Sequence, residues 1–376
     1  MKHDNLLVVV IGGLHHNTLG VIRSLGEANI PKQNITGIIV CEEYIRYNFL
    51  SASKYIDSKK VKVINRDDKI LDVLDEVKIE TKKQVIICCS DSSAEVVMKN
   101  YKKLNEWYYT PNVRVGISDL MSKQNQCDHA ICAGLLIPKS IVLKKSTCKS
   151  WDVFPCITKP LICGNGGGKA DIHIAHNKAE LLDAISLIDS EMIQIQEYIK
   201  KDMEYQLIGC SLDGGDEIII PGYTKIIRQP ENTNTGYLIY SPIEDLEFDY
   251  NAVKRFIKQI GYSGLFSLEF LRDKKGHDYF LEINLRNDGN AYCVQSAGIN
   301  LPYIWCYYNY NNSLPSCELQ FKKPIYFIPD LSDIKRGIKS VGMFQWINQF
   351  INAESHAVFN IRDMKPFIVQ IISKFI

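Results

Sequence analysis

The chain has 376 residues, 46% hydrophobic and 23% charged, with a formal net charge of +1. That composition is globular, leaves room for two or three domains, and excludes a global attraction to nucleic acid or anionic membrane, so any phosphate recognition is local. Twelve cysteines contain no C-x-x-C pair, and the N-terminus leads into a strand rather than a signal-peptide pattern, which predicts reduced thiols and a soluble, cytoplasmic protein. The longest apolar run, residues 6–11, is far short of the ~20 residues that span a bilayer, so no membrane span is expected.

Residues 1–118 alternate strand-like runs (6–11, 35–41, 60–64, 85–89) with helical patterns (19–28, 69–77, 93–104). This alternation predicts an N-terminal Rossmann-like α/β domain with a parallel sheet. The first strand ends in Gly12-Gly13-Leu14-His15-His16-Asn17, a small-residue turn into a helix where a ligand can approach the backbone. It is not G-x-G-x-x-G, and a tight turn without ligand fits as well as a substrate loop. His15 and His16 read first as solvent-exposed loop residues, with substrate contact as the alternative.

From residue 119 to about 309 short strands dominate and the pattern becomes α+β. Lys159 lies on a strand that leads into a loop holding Gly164, Gly166, Gly167, Gly168 and Lys169. Glycines let backbone amides close on an anion and lysines supply charge. The spacing is not that of a Walker A loop, and a strand follows, so a hairpin loop covering phosphates competes with an ordinary Gly-rich turn. A helix over 178–188 carries Asn177 and Glu180 in capping-box spacing. Next comes the segment Glu197, Tyr198, Ile199, with Glu204 seven residues after Glu197, and a strand over 223–228 bearing Lys225 and Arg228. A helix over 250–260 follows from the stripe Val253, Phe256, Ile257, Ile260, with Asp249 as N-cap and Gly261 closing it.

The strongest chemical signal is a hairpin of two apolar runs joined by the polar stretch 273–278. A turn centred between Lys275 and Gly276 sets Glu269 directly opposite Glu282, with Cβ atoms roughly 5 Å apart. Strand parity turns Phe266, Leu268, Phe270, Tyr279, Leu281, Ile283 and Leu285 to one face, and Glu269, Glu282, Asn284 and Arg286 to the other. Two apposed carboxylates need a cation or a shared proton, and all-oxygen ligands suit Mg²⁺. The bland alternative is an amphipathic hairpin with solvated acids. Residues 310–376 form a C-terminal extension, partly helical through Phe367, Ile368, Ile371, Ile372 and Phe375, for which packing on the body is preferred and membrane or partner docking is the alternative.

In combination, these elements resemble the ATP-grasp superfamily over about residues 119–309. The shared features are a lysine on a strand, a Gly-rich hairpin with a second lysine, a Gln-Glu-Tyr-Ile segment, a later Glu, and a hairpin ending Glu-x-Asn. The resemblance implies two α+β subdomains clasping ATP, a small lid-like one over about 140–200 and a metal-binding one over about 201–309. It implies that Lys123, Lys159, Gly166, Gly167, Gly168 and Lys169 meet ATP phosphates, that Glu197, Tyr198 and Ile199 form the adenine hinge, and that Glu204 binds the ribose hydroxyls. Glu269, Glu282 and Asn284 would hold Mg²⁺, with Mn²⁺ as a substitute, while Lys225, Arg228 and Arg286 act on the transferred phosphoryl or the acyl phosphate.

The implied activity is ligation of a carboxylate to an amine through an acyl phosphate, on small-molecule substrates such as amino acids, with monomer and homodimer both open. The alternatives are a small-molecule kinase and a non-catalytic ATP sensor. One departure is Ser267, where D-alanine ligases carry an arginine; Arg286-Asn287-Asp288-Gly289-Asn290 looks more like amino-acid ligases ending Glu-x-Asn-x-Arg, including D-aspartate-ligase-like enzymes.

Overall fold

The computed structural model describes residues 5–43, 47–160, 173–188, 191–228 and 236–375. Five strands near the N-terminus, β1 (Val8–Gly13), β2 (Ile35–Val40), β3 (Val61–Ile64), β4 (Gln84–Cys88) and β5 (Tyr108–Tyr109), form a parallel sheet in the order β3-β2-β1-β4-β5. β1, β2 and β4 are near-continuous Val/Ile runs because helices cover both faces. The helix His16–Glu27 packs on one face and the helix Asp91–Lys99 on the other. Strand order reverses between β1 and β4, so a crevice opens there at the carboxyl ends.

A second, four-stranded antiparallel sheet contains β6 (Ser140–Lys144), β7 (Cys156–Pro160), β8 (His173–Ala175) and β9 (Met192–Glu197), in the order β6-β9-β7-β8. Its small core, with Leu143, Trp151, Ile193 and Ile195, is closed by Leu181 and Ile185 of the helix Lys178–Leu187. Asn177 caps that helix by accepting the Glu180 N–H (3.0 Å), and the Glu180 carboxylate accepts the His176 N–H (2.8 Å).

The third sheet has seven strands: β10 (Lys201–Leu212), β11 (Glu217–Arg228), β12 (Tyr237–Pro242), β13 (Gly264–Asp273), β14 (Asp278–Asn284), β15 (Ile325–Ile328) and β16 (Ser355–His356). Their order is β14-β13-β10-β11-β12-β15-β16. The helix Tyr250–Ile260 lies under one face, capped by Asp249 and ended by Gly261 at φ 64°. Its stripe Val253, Phe256, Ile257 and Ile260 is at most 1% exposed. On the opposite face, Trp305 and Cys306 of the helix Leu301–Asn311 share a core with Ile208, Cys210, Leu212, Leu238, Tyr240 and Phe327, while Glu204, Gln206 and Glu269 give the β10–β13 end of that face a polar patch. β15 and β16 lie in the C-terminal segment that was expected only to pack on the body; they extend the sheet itself, with Phe327 and Ile328 fully buried.

Candidate ATP and metal site

Glu269 and Glu282 do face each other across β13 and β14, but by another route than a regular hairpin. The turn closes one residue earlier: the Asp273 N–H donates to the His277 carbonyl (3.0 Å), with Gly276 left-handed at φ 86°. Near the turn Phe270 pairs with Phe280; Leu281 is then an extra residue on β14, and past this bulge Glu269 pairs with Glu282 and Ser267 with Asn284. The bulge inverts the expected parity of the first half of β14, so that Phe280, not Tyr279, fills the core.

Around Glu269 the donors are specific. Its Oε1 accepts from Gln206 Nε2 (3.0 Å) on β10 and from Asn284 Nδ2 (3.2 Å). Gln206 is held in turn by Asn290 Nδ2, which donates to its Oε1 (2.9 Å). Burial first, then the facing Glu282 and nearby Asp288, push the Glu269 carboxyl up to about 7. Glu282 pairs with the ammonium of Lys123, the first residue of the helix Lys123–Cys132. That helix was not read from its polar sequence, and its lysine meets a metal-side acid rather than standing free for a phosphate.

The donor set fits a hard divalent cation. Two facing carboxylates, one of them raised by burial and by its neighbour, carry more negative charge than Lys123 alone offsets, while Asn284 turns its NH2 to Glu269 and its Oδ1 to Arg286, so that its oxygen becomes a ligand only if the amide turns over. Among the described residues no group of three or more His, Cys, Asp or Glu forms a metal cluster.

Glu204 shares the face of Gln206 on β10 and pairs with Lys201. Glu197, Tyr198 and Ile199 lie where the chain passes from β9 to β10, between the second and third sheets. The Glu197 N–H donates to the Lys139 carbonyl (2.7 Å) and the Tyr198 N–H to the Pro155 carbonyl (2.9 Å), while Ile199 is buried. Lys159 pairs with Gln194 in the register of β7 and β9; its side chain, and Gly166, Gly167, Gly168 and Lys169 altogether, lie outside the described residues.

Two expected residues stand elsewhere. Lys225 pairs with Tyr205, so it faces the side of the sheet opposite Gln206 and Glu269; parity puts Thr224 on the site face instead. Arg228 is 8% exposed and grips Asp333 through Nη1 (2.9 Å) and Nη2 (2.5 Å), with Nε donating to Gln349 Oε1 (3.2 Å). A guanidinium so engaged is structural, and no local pattern announces it because Asp333 lies 105 positions away.

Arg286 continues the polar face toward the β1–β4 crevice. Its Nη2 donates to Asn284 Oδ1 (3.0 Å), its Nε to Asp91 Oδ1 (3.0 Å), and its Nη1 lies 3.4 Å from Asp288 Oδ2. Ser267, in the departure noted above, donates to Asp288 Oδ2 (3.0 Å). Asn17 Nδ2 donates to the carbonyls of Cys89 (2.8 Å) and Asn287 (2.7 Å), fastening the loop after β14 to the ends of β1 and β4. His15 caps the first helix by accepting the Asn17 N–H (3.2 Å). His16 is not a solvent-facing loop residue: its Nε2 is buried without a hydrogen-bond partner, and burial, then neighbouring His15, lower its pKa to about 3. Gln206 and Asp91 were missed, although Gln206 shares the parity of Glu204; the alternative reading of Arg286 as an ion pair with Asp288 is seen.

No family model matches the chain. Over 337 residues it is 23% identical to a D-aspartate ligase of Enterococcus faecium (strain Aus0004), spanning 80% of this chain and 76% of that protein. Its structure matches an ADP complex of N5-carboxyaminoimidazole ribonucleotide synthetase with a TM-score of 0.66, at 13% identity over 93% of this chain and 87% of that one. It also matches the biotin carboxylase domain of the Hydrogenobacter thermophilus 2-oxoglutarate carboxylase, in complex with MgADP and bicarbonate, with a TM-score of 0.63 at 19% identity, over 85% and 73% of the two chains. This chain has the ATP-grasp fold. The four-stranded sheet and the seven-stranded sheet are joined at Glu197–Ile199.

Proposed function

We propose that this ATP-grasp protein is an ATP- and Mg²⁺-dependent carboxylate–amine ligase acting on small molecules of the amino-acid type. The observation that carries the reading is the Glu269, Glu282 and Asn284 constellation, which shares one sheet face with Glu204 and runs through Arg286 into the β1–β4 crevice. That order supports reading a nucleotide end, a metal end and a substrate end along one surface.

Glu197, Tyr198 and Ile199 receive the adenine, and Glu204 accepts from the ribose hydroxyls once it exchanges Lys201 for them. Lys159, Gly166, Gly167, Gly168 and Lys169 cover the phosphates, and Lys123, paired with Glu282 in the free protein, would be released toward a phosphate were that carboxylate to hold a cation. Glu269, Glu282 and Asn284 hold Mg²⁺, or Mn²⁺ on the same oxygen donors. Bound there, the ion neutralises charge on the phosphates during phosphoryl transfer.

In the reaction, a substrate carboxylate oxygen bonds to the γ-phosphorus and the bond to ADP breaks. The amine then attacks the acyl carbon, phosphate leaves, and the amine gives up a proton. Arg286 orients the acyl phosphate with its planar fork, itself aligned by Asp91 and Asp288. No protein nucleophile is needed.

Hydroxylamine intercepts acyl phosphates as hydroxamates. Incubation with ATP, Mg²⁺, pooled amino acids and hydroxylamine is expected to give ATP-dependent hydroxamate. A stable phosphorylated product without hydroxamate would make the protein a kinase, and nucleotide binding without turnover would make it a sensor.

A further inference from the structure

The C-terminal helices present a surface that the ligase reading does not use. The helix Met343–Asn352 contains no charged residue and is apolar on two sides. Its inner side is pinned to the body: Trp346 Nε1 donates to Asp333 Oδ2 (3.0 Å), Gln349 accepts from Arg228, and Phe350 stacks on Trp346 (5.4 Å) and lies against His356 (4.8 Å). Its outer side shows Met343, Phe344, Ile347 and Ile351, which are 53%, 85%, 41% and 72% exposed. A helix apolar on both sides is stable only when both are covered. Across a groove bordered by Ile351 and Ile361, Ile361 adds a further side chain that is 82% exposed.

Charge identifies the cover. From Ile334 to Ala353 there is no acidic residue, while Lys335, Arg336 and Lys339 stand exposed on the adjoining helix Ile334–Val341, without an acidic partner among the described residues. Arg362 and Lys365, both exposed, flank Ile361. Of the acids nearest in sequence, Asp333 is buried and binds Arg228, while Glu354, whose Oε2 accepts the Tyr326 N–H (2.9 Å), is exposed at the groove and offsets one of these charges at most. Glu27, in the wall of the groove, accepts from Tyr292 (2.8 Å) and Gln295 (2.9 Å).

We infer that this face docks on an anionic lipid bilayer, with the helix Met343–Asn352 lying in the interface plane, Phe344 and Ile351 inserted, and Lys335, Arg336 and Lys339 at the headgroups. Protruding apolar side chains beside uncompensated cations are what such a surface requires. The inference is local: it asks nothing of the net charge, which is only +1, and no helix among the described residues is long and apolar enough to cross a membrane.

The test is sedimentation of the full chain with vesicles of phosphatidylcholine alone and of phosphatidylcholine mixed with phosphatidylglycerol. Binding is expected to the mixed vesicles and to weaken as salt is raised. Replacing Lys335, Arg336 and Lys339 together by Gln should weaken it about a hundredfold, at about fivefold per charge. Phe344→Ser with Ile351→Ser should weaken it about tenfold or more, with thermal unfolding of each variant showing that the fold is kept. No binding to the mixed vesicles at low salt overturns the inference. So does self-association that the Phe344→Ser and Ile351→Ser changes abolish in the absence of vesicle binding, which would assign the face to a second copy. Retention of an acidic protein without vesicle binding overturns it too, in favour of a protein partner.

Discussion

Glu269 is the residue on which the account turns, because its position is unfavourable without a cation. Its carboxyl is raised from 4.5 to about 7 by burial and by Glu282, so the folded state binds a proton more tightly than the unfolded one. The stabilisation from that proton is complete below about pH 4.5 and is lost as pH rises toward about 7. Glu269→Gln keeps the shape and removes the charge. In a metal-free protein it should raise Tm by several degrees at about pH 8, corresponding to about 2 kcal/mol, and leave Tm unchanged at about pH 4. Thermal unfolding in chelator at the two pH values measures this, and an equal shift at both would show that Glu269 is not held in a charged, buried pair.

At this scale the facing of Glu269 and Glu282 was legible from their spacing, although the structure reaches it through a bulge. The role of Arg228 was not legible, since its partner Asp333 is brought near only by the tertiary fold. Lys225 failed for a smaller reason: one step along β11 changes the face, and the register with Gln206 puts Thr224, not Lys225, beside it.

Among the elements, the amphipathic helix Tyr250–Ile260 was readable from cap to cap, since stripe, N-cap and closing glycine agree. The helix Lys123–Cys132 was not, because its sequence is polar and only Gln126 and Ala130 are buried. β15 was hidden by its brevity between Pro324 and Pro329, and β14 by a bulge that no periodicity announces. The expected pairing of Glu269 with Glu282 was reached because an early turn and an extra Leu281 offset each other.

The same scale carries a prediction about β11. If Arg228 joins β11 to the C-terminal helices rather than serving the chemistry, Asp333→Ala leaves a buried guanidinium unpaired and should cost about 3–5 kcal/mol. Denaturant unfolding would register that loss, while the KM for ATP of the remaining folded protein should stay as in the parent. An unchanged stability with a raised KM would return Arg228 to the site.

At the scale of the whole molecule, the ends of the chain are locked together. Asp363 accepts from Arg23 Nε (3.0 Å), Ser53 Oγ (2.8 Å) and the Lys54 N–H (2.9 Å), and the side chains of Arg23 and Asp363 are 0% and 1% exposed. The C-terminal segment thereby connects the seven-stranded sheet, through β15 and β16, to the helix that begins at the crevice with His16. Asp363→Ala should cost about 3–5 kcal/mol for the unpaired Arg23. If the molecule unfolds as one unit, intrinsic fluorescence and circular dichroism should lose stability together; a shift in one alone would show that the first sheet and the rest unfold separately.

The architecture serves one reaction, and that reaction is the direct test. Protein incubated with ATP, Mg²⁺ and pooled amino acids, and followed by mass spectrometry, should form ADP and a new amide in equal amounts, with Glu282→Gln forming neither. A phosphorylated product with no amide, or wild-type turnover by Glu282→Gln, would contradict the account.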